Sequence, residues 1–457
     1  MRTKCRFPVS MVAHPLVMLL LVVGCDAPGE RQSLWAVDAG EDVGVVPHEE
    51  DAGGSGRIDG GTPGRVDGSA STGRLNLCEG LVQDKQPRPM TALPKPEVGK
   101  TVTDAEFGTK IRRITDVTAR GGSPAIRPLY STVSAWNADE SRLLLYNVEG
   151  GRHELYDGKT YALIRDLSEL MPPDVEQIYW HTSDPDVLLL VEDRTFVRYH
   201  VGAAMKERVS TFDFCPGSVS GGSDPMFTSF DSKLIGLHCG NQVFIYDIQA
   251  NNVIVRKSIN ENPAQVTPSG TMAYLSDSGR VTDLMLNELR TLDLKEPFGH
   301  GSMGLLPTGE DTWNGQVFDD GPGGNTDIGT LVVWDMTRAT SKVIIGPKTG
   351  WPYPPDGHLS AMAYRQPGWI FVSTFGDTSG KGLLDLEMLI ADTVDGTVCR
   401  VGRHRSWGKA NLKLAEPYWA EPHAVPSPSG TRAAFASEWG NGSTVDTYVL
   451  ELPSYRP

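Results

Sequence analysis

The chain has 457 residues and a formal net charge of -15. That length holds either two or three ordinary domains or one large repeat domain. With 57 acidic residues against 42 basic ones and no basic run, the composition argues against a nucleic-acid partner, which needs Lys and Arg gathered on one face.

Residues 1–24 begin with Arg2, Lys4 and Arg6 and continue into an apolar run from Leu16 to Gly24 that stops at Cys25. The run is too short to stay in a bilayer as a spanning helix and reads as a secretory signal. Leu21-Val-Val-Gly-Cys25 resembles a bacterial lipobox. That resemblance implies a lipidated Cys25 at the start of the mature chain and a protein held at the cell envelope, facing periplasm or exterior. Each acyl CH₂ buried in lipid contributes about 0.8 kcal/mol to such an anchor. Residues 25–77 are rich in Gly, Asp, Ser and Pro and nearly repeat themselves in Gly56-Arg-Ile-Asp-Gly60 and Gly64-Arg-Val-Asp-Gly68. This composition predicts a disordered tether with a reach of roughly 40 Å.

The folded domain is expected over residues 78–457, and its strands recur at a spacing of roughly 45 to 60 residues, the period of a propeller blade. Thr109 to Ile114 is an early alternating strand. A first blade follows in Tyr130–Trp136, Arg142–Tyr146, His153–Tyr156 and Tyr161–Arg165, and a second in Gln177–His181, Val187–Val191, Thr195–Tyr199 and Arg208–Phe212. The third joins Lys233–Leu237 to Gln242–Tyr246 through the hairpin turn Cys239-Gly-Asn241, and the fourth is built around Pro268–Leu275 and Leu289–Asp293. The fifth opens at Gly299-His300, the sixth at Asp356-Gly-His358, and the seventh runs from Glu421 to Leu452 with only three strands. The early strand has no blade of its own, so it is expected to complete the seventh and close the ring. Closure removes the exposed edge of an open array. The expected fold is an all-β, seven-bladed β-propeller of four-stranded blades closed by an N-terminal strand, and a monomer is expected.

Of the six cysteines, Cys5 falls in the signal and Cys25 at the lipidation site. Cys78, Cys215, Cys239 and Cys399 then stand in an oxidising compartment, and their even count predicts disulfides. Three pairings are open. Cys215 with Cys239, which bracket one repeat, and Cys78 with Cys399, which ties the start of the domain to a late blade, is the favoured set.

Three consecutive repeats begin beside a histidine: His300, His358 and His423. First strands line a propeller's channel, so these imidazoles are expected to converge near one mouth. The loops 319–325, 376–380 and 440–442 should rise on the same face. With Glu421 the group suits a divalent metal such as Mn²⁺ or Ca²⁺, because neutral imidazole and carboxylate both ligate such ions. His181, His238 and the strand tryptophans Trp136, Trp180, Trp334 and Trp369 read as structural. No Gly-x-Ser-x-Gly, His-Glu-x-x-His or phosphate loop offers another enzyme class.

Gly299-His300, the later His358, and Glu421-Pro-His423 with Pro426-Ser-Pro-Ser-Gly430 resemble the oligogalacturonate lyase family. The resemblance implies a seven-bladed propeller with a manganese-type ion, His300 in the catalytic centre, and His358 and His423 as metal ligands. Tyr418 and Glu421 stand where some relatives carry a Gln and a further His. The family's catalytic Arg follows an Asp in the fourth blade, whereas here Asp283 is followed by Leu284, and Arg280 is out of register. β-Elimination needs both a base and a cation that stabilises the enolate. The expected function is therefore a membrane-anchored binding or scaffold propeller for a carbohydrate or protein ligand, with a metal-dependent lyase of oligogalacturonate-like sugars as the alternative.

Overall fold

The computed structural model describes residues 74–120, 124–221, 228–293, 300–318, 327–406, 417–440 and 444–456. The signal and Cys25, the tether up to residue 73, Gly299, the 319–325 loop, and Asn441 and Gly442 lie outside them.

Seven antiparallel sheets make the fold. Blade one comprises β3 (Ile126–Arg127), β4 (Arg142–Asn147), β5 (Arg152–Asp157) and β6 (Leu163–Asp166); blade two comprises β7 (Ile178–Trp180), β8 (Val187–Glu192), β9 (Thr195–His200) and β10 (Met205–Thr211). Blade three has β11 (Leu234–Cys239), β12 (Gln242–Asp247) and β13 (Asn252–Ser258), and among the described residues Ser220 and Thr228 form single bridges to His238 and Ile235 of β11. Blade four has β14 (Gln265–Val266), β15 (Ala273–Leu275), β16 (Arg280–Thr282) and β17 (Glu288–Thr291). Blade five has β18 (Gly301–Leu305), β19 (Asp311–Val317), β20 (Gly329–Asp335) and β21 (Thr340–Ile345), and blade six has β22 (Gly357–Ser360), β23 (Trp369–Thr374), β24 (Glu387–Asp392) and β25 (Val398–Arg403).

Blade seven closes the ring as the strand count predicts. Its own strands are β26 (Val425–Pro426), β27 (Arg432–Ser437) and β28 (Asp446–Glu451), and the fourth is β2 (Lys110–Arg113), which pairs with β28 from Lys110 opposite Glu451 to Arg113 opposite Tyr448. A fifth strand, β1 (Thr101–Thr103), adds to β2. Strands near the axis are buried on both faces: all six residues of β27 are buried, whereas β13 at a blade's rim is mostly exposed or half-exposed. That gradient explains why inner strands read as continuous apolar runs and outer ones alternate.

Blade one differs from the expectation at its innermost strand. The ladder forms at Ile126 and Arg127, opposite Asn147 and Tyr146, and resumes only where Trp136 bridges Leu143. Pro128 has no N–H to continue it. Blades one and seven are clasped by Arg432, whose guanidinium pairs with Glu140 at 2.7 Å, donates to the Gly158 carbonyl at 2.8 Å and lies over the Trp136 ring at 4.9 Å.

Packing begins earlier than residue 78. Arg74 pairs with Asp392 at 2.6 Å, and Leu77 is fully buried. From there the chain runs as a strap along the outer edge of blade six, where Val82 bridges Arg400 of β25. Beneath it, Glu387 accepts from Arg400 at 2.6 Å and Arg403 at 3.3 Å, all three side chains fully buried. The favoured disulfides are both formed: Cys78–Cys399 fastens the strap, and Cys215–Cys239 ties the chain before blade three to the end of β11, each with Cα atoms 5.7 Å apart.

Two buried histidines make the fold sensitive to acid. His404 is fully buried; its Nε2–H donates to the Thr374 carbonyl at 2.8 Å and its Nδ1 accepts from the Ser406 N–H at 3.1 Å. A second proton would face that N–H, and burial depresses the pKa of His404 to about 4, as it does for His153. Between pH 6.5 and 4 the unfolded chain takes up protons that the folded one refuses, so stability falls as pH falls, by on the order of 3 kcal/mol per fully expressed site. Asp104 acts the other way: burial raises its carboxyl to about 6, so it gains stability as pH drops below that value. The two histidines outweigh it. The urea midpoint is expected to be lower at pH 5 than at pH 7.5, with the difference reduced in His404→Gln; a midpoint that does not move would refute this account.

Candidate metal and ligand site at the channel mouth

The first strands of blades five and six touch each other, β18 against β22, and β3 of blade one touches β27, the second strand of blade seven, so residues at the blade entrances converge on the axis. His300 immediately precedes β18, His358 is the second residue of β22, and His423 stands two residues before β26. The ring brings all three together. His358 stacks on His300 with centroids 4.9 Å apart and meets His423 edge-on at 4.0 Å. Glu421 reaches the same point, its Oε2 3.6 Å from His358 Nε2 and 3.3 Å from His423 Nε2.

Each side chain is placed by its own backbone. A short 3₁₀ turn, Pro417–Ala420, delivers Glu421 and His423 to the axis. His423 sits in the left-handed region at φ 39°, a conformation that costs a non-glycine residue on the order of 1–3 kcal/mol and is retained where the surroundings impose it. Tyr130 and Tyr418 pack edge-on against the His423 ring at 5.0 and 4.8 Å, and Phe375 does the same to His358 at 5.6 Å. His358 and His423 are buried, and Glu421 is at the edge of burial. Burial holds the His423 imidazole well below its ordinary pKa, helped by His358, Arg127 and His300, so it is neutral at physiological pH.

One ligand atom from each of His358, Glu421 and His423 lies within 4.8 Å of the others. Two imidazoles and a carboxylate at this spacing fit a divalent cation and leave positions for water or ligand. His300 is more exposed. Its Nδ1–H donates to the Gly357 carbonyl at 3.0 Å with Asp356 at 3.5 Å, so its basic lone pair is on Nε2. It stands beside the three-ligand group.

Arg127 is the site residue that sequence reasoning missed. It is fully buried on β3, donates to the carbonyls of Pro128 and Tyr418 at 2.9 Å each, lies over the Tyr418 ring at 5.0 Å, and hydrogen-bonds His423 Nδ1. The available signal was an Arg-Pro pair inside the entrance to the first blade. Tyr418 gives the cluster its ring and not its hydroxyl, which donates to both oxygens of Glu176, at 2.7 and 2.8 Å. Burial, with Glu176, raises its pKa far above the usual phenol range. Arg280 does not reach the axis. It lies on β16, the third strand outward, and pairs with Glu261. Asp283 caps the following turn, accepting from Met285 N–H at 2.9 Å and Asn287 N–H at 2.8 Å. His181 and His238 also lie off the cluster: His181 Nδ1 accepts from the Asp184 N–H at 3.1 Å and the His238 backbone pairs with Ser220.

No family model matches the sequence, and no curated protein matches it. Among solved structures, an oligogalacturonate lyase in complex with manganese is similar with a TM-score of 0.54 and 14% identity, covering 82% of this chain and 99% of that one. Oligogalacturonate lyase from Vibrio parahaemolyticus is similar with a TM-score of 0.56 and 13% identity, covering 78% of this chain and 96% of that one. At these identities the likeness speaks for the seven-bladed fold.

Proposed function

We propose that the chain is a lipid-anchored propeller of the bacterial cell envelope that holds a divalent cation at its channel mouth and binds a carbohydrate or protein ligand there. The convergence of His358, Glu421 and His423 from two blades within 4.8 Å carries this reading. A bound cation would serve as a Lewis acid toward a carboxylate of the ligand. Manganese is the favoured ion because the donor set is mixed imidazole and carboxylate and a similar fold is solved with it.

A lyase is the second reading, favoured by His300, whose Nε2 lone pair faces no competing proton on its own ring and suits removal of a proton alpha to a uronate carboxylate. It ranks second because Arg280 is engaged with Glu261 away from the axis, and the only guanidinium described at the cluster is bonded to His423. Metal content of the purified protein, followed by ultraviolet absorbance of unsaturated product from oligogalacturonate with Mn²⁺ added, separates the readings. Metal without product supports the binding module and product establishes the lyase; neither, in folded protein, leaves the histidines structural.

The anchor rests on Leu21-Val-Val-Gly-Cys25 alone. Cys25→Ser is expected to release the protein from membranes or leave its signal uncleaved. A variant that fractionates and migrates like the parent would refute the anchor.

A further inference from the structure

We propose that Arg127 competes with the divalent cation for His423, so that the cation-binding group is held closed by a guanidinium until a cation displaces it. The inference rests on the metal reading above and adds to it the residue that sets the affinity.

Hydrogen-bond chemistry carries the step. An arginine only donates, so the bond from Arg127 to His423 Nδ1 makes that nitrogen the acceptor. The single proton of a neutral ring is then on Nε2, and Nε2 is the atom that faces Glu421 Oε2 at 3.3 Å, as a donor should. The two contacts agree on one tautomer. Arg127, His423 and Glu421 thus form a chain in which each group is satisfied without an ion. A metal-ligating histidine has the opposite arrangement: one nitrogen offers its lone pair to the ion and the other carries the proton toward an acceptor. His423 can ligate through Nε2 only after its proton moves to Nδ1, or through Nδ1 only after that position is vacated. Either way the Arg127 bond must break.

Charge acts in the same direction. No described carboxylate pairs with the Arg127 guanidinium, which is held by carbonyls and aromatic faces, and a buried positive group beside a divalent ion is repelled by it. If the closed arrangement outnumbers the open one by about ten to one, the apparent affinity for the cation is lowered about tenfold.

Mn²⁺ titration calorimetry on the detergent-solubilised full chain, as parent, Arg127→Met and His358→Ala, tests the proposal. Arg127→Met is expected to bind Mn²⁺ at least tenfold tighter than the parent. Equal or weaker binding by a folded Arg127→Met overturns the proposal, and the metal reading survives if the parent binds and His358→Ala does not. Failure of both the parent and Arg127→Met to bind overturns both. Binding by Arg127→Met alone supports the proposal in its strongest form. Should that variant not fold, the parent itself decides: with ¹⁵N-labelled imidazoles, the resonance missing from His423→Gln is expected as the Nε2–H tautomer without metal and to lose that form when Zn²⁺ is added. An Nδ1–H tautomer in the cation-free protein overturns the competition.

Discussion

Deleting residues 26–114 is expected to abolish the folded domain, whereas deleting residues 26–73 leaves its melting temperature unchanged. The longer deletion removes β2, and with it the only described partner of β28's outer edge. It also removes Cys78 and so the disulfide to Cys399, a loss worth about 2–5 kcal/mol by itself. The buried side chains of Leu77, Phe107, Ile111 and Ile114 go as well, each contributing roughly 1.5–3 kcal/mol by the area it takes from water. Against a typical net stability of about 5–15 kcal/mol, these losses are decisive. The strap adds a further cost, because without it the Arg400–Glu387–Arg403 group loses its cover: Arg400 donates to the Gln86 carbonyl at 2.7 Å, and Arg403 to the carbonyl of Arg88. The shorter deletion stops before Arg74, the first described residue, which already pairs with Asp392. Both forms should be produced with the native signal and compared by thermal unfolding; equal melting temperatures would rule out closure by the N-terminal strand.

Losing either buried histidine is expected to weaken Mn²⁺ binding by on the order of tenfold to a hundredfold or more, since water must replace a protein ligand in a three-ligand group. His358→Ala is the cleaner variant: its ring touches His300, His423, Tyr130 and Phe375 and forms no bond to Arg127. His423→Ala should be equally severe, although it also leaves the Arg127 guanidinium without its nitrogen acceptor. Glu421→Gln keeps the shape and removes the charge, so its loss measures the electrostatic share. His300→Ala should retain the cation, because that residue stands outside the three ligands. Calorimetric titration checks the series, and an unchanged dissociation constant in His358→Ala would remove that residue from the metal group.

The sequence by itself determined the architecture. A short extended run bounded by turn residues is a local signal, so β4, β8, β12 and β27 could be read from runs such as Arg142–Tyr146 and Arg432–Ser437, which are buried almost throughout. Counting strands then showed that Thr109–Ile114 had to close the ring, and β2 does. The histidines were legible for the same reason: each marks the entrance to a blade, and a ring makes equivalent positions converge. Tertiary structure alone decided what those histidines face. Arg127 and His423 are 296 residues apart, and their meeting depends on a proline break in β3 that moved the innermost strand away from Tyr130–Trp136. Tyr418 turning to Glu176, across 242 residues, and the strap over β25 were equally hidden. Local pattern encodes which face of a strand is buried; which polar groups share that burial is set by the closed ring, where the requirement that every buried donor find an acceptor is met between residues no sequence window contains.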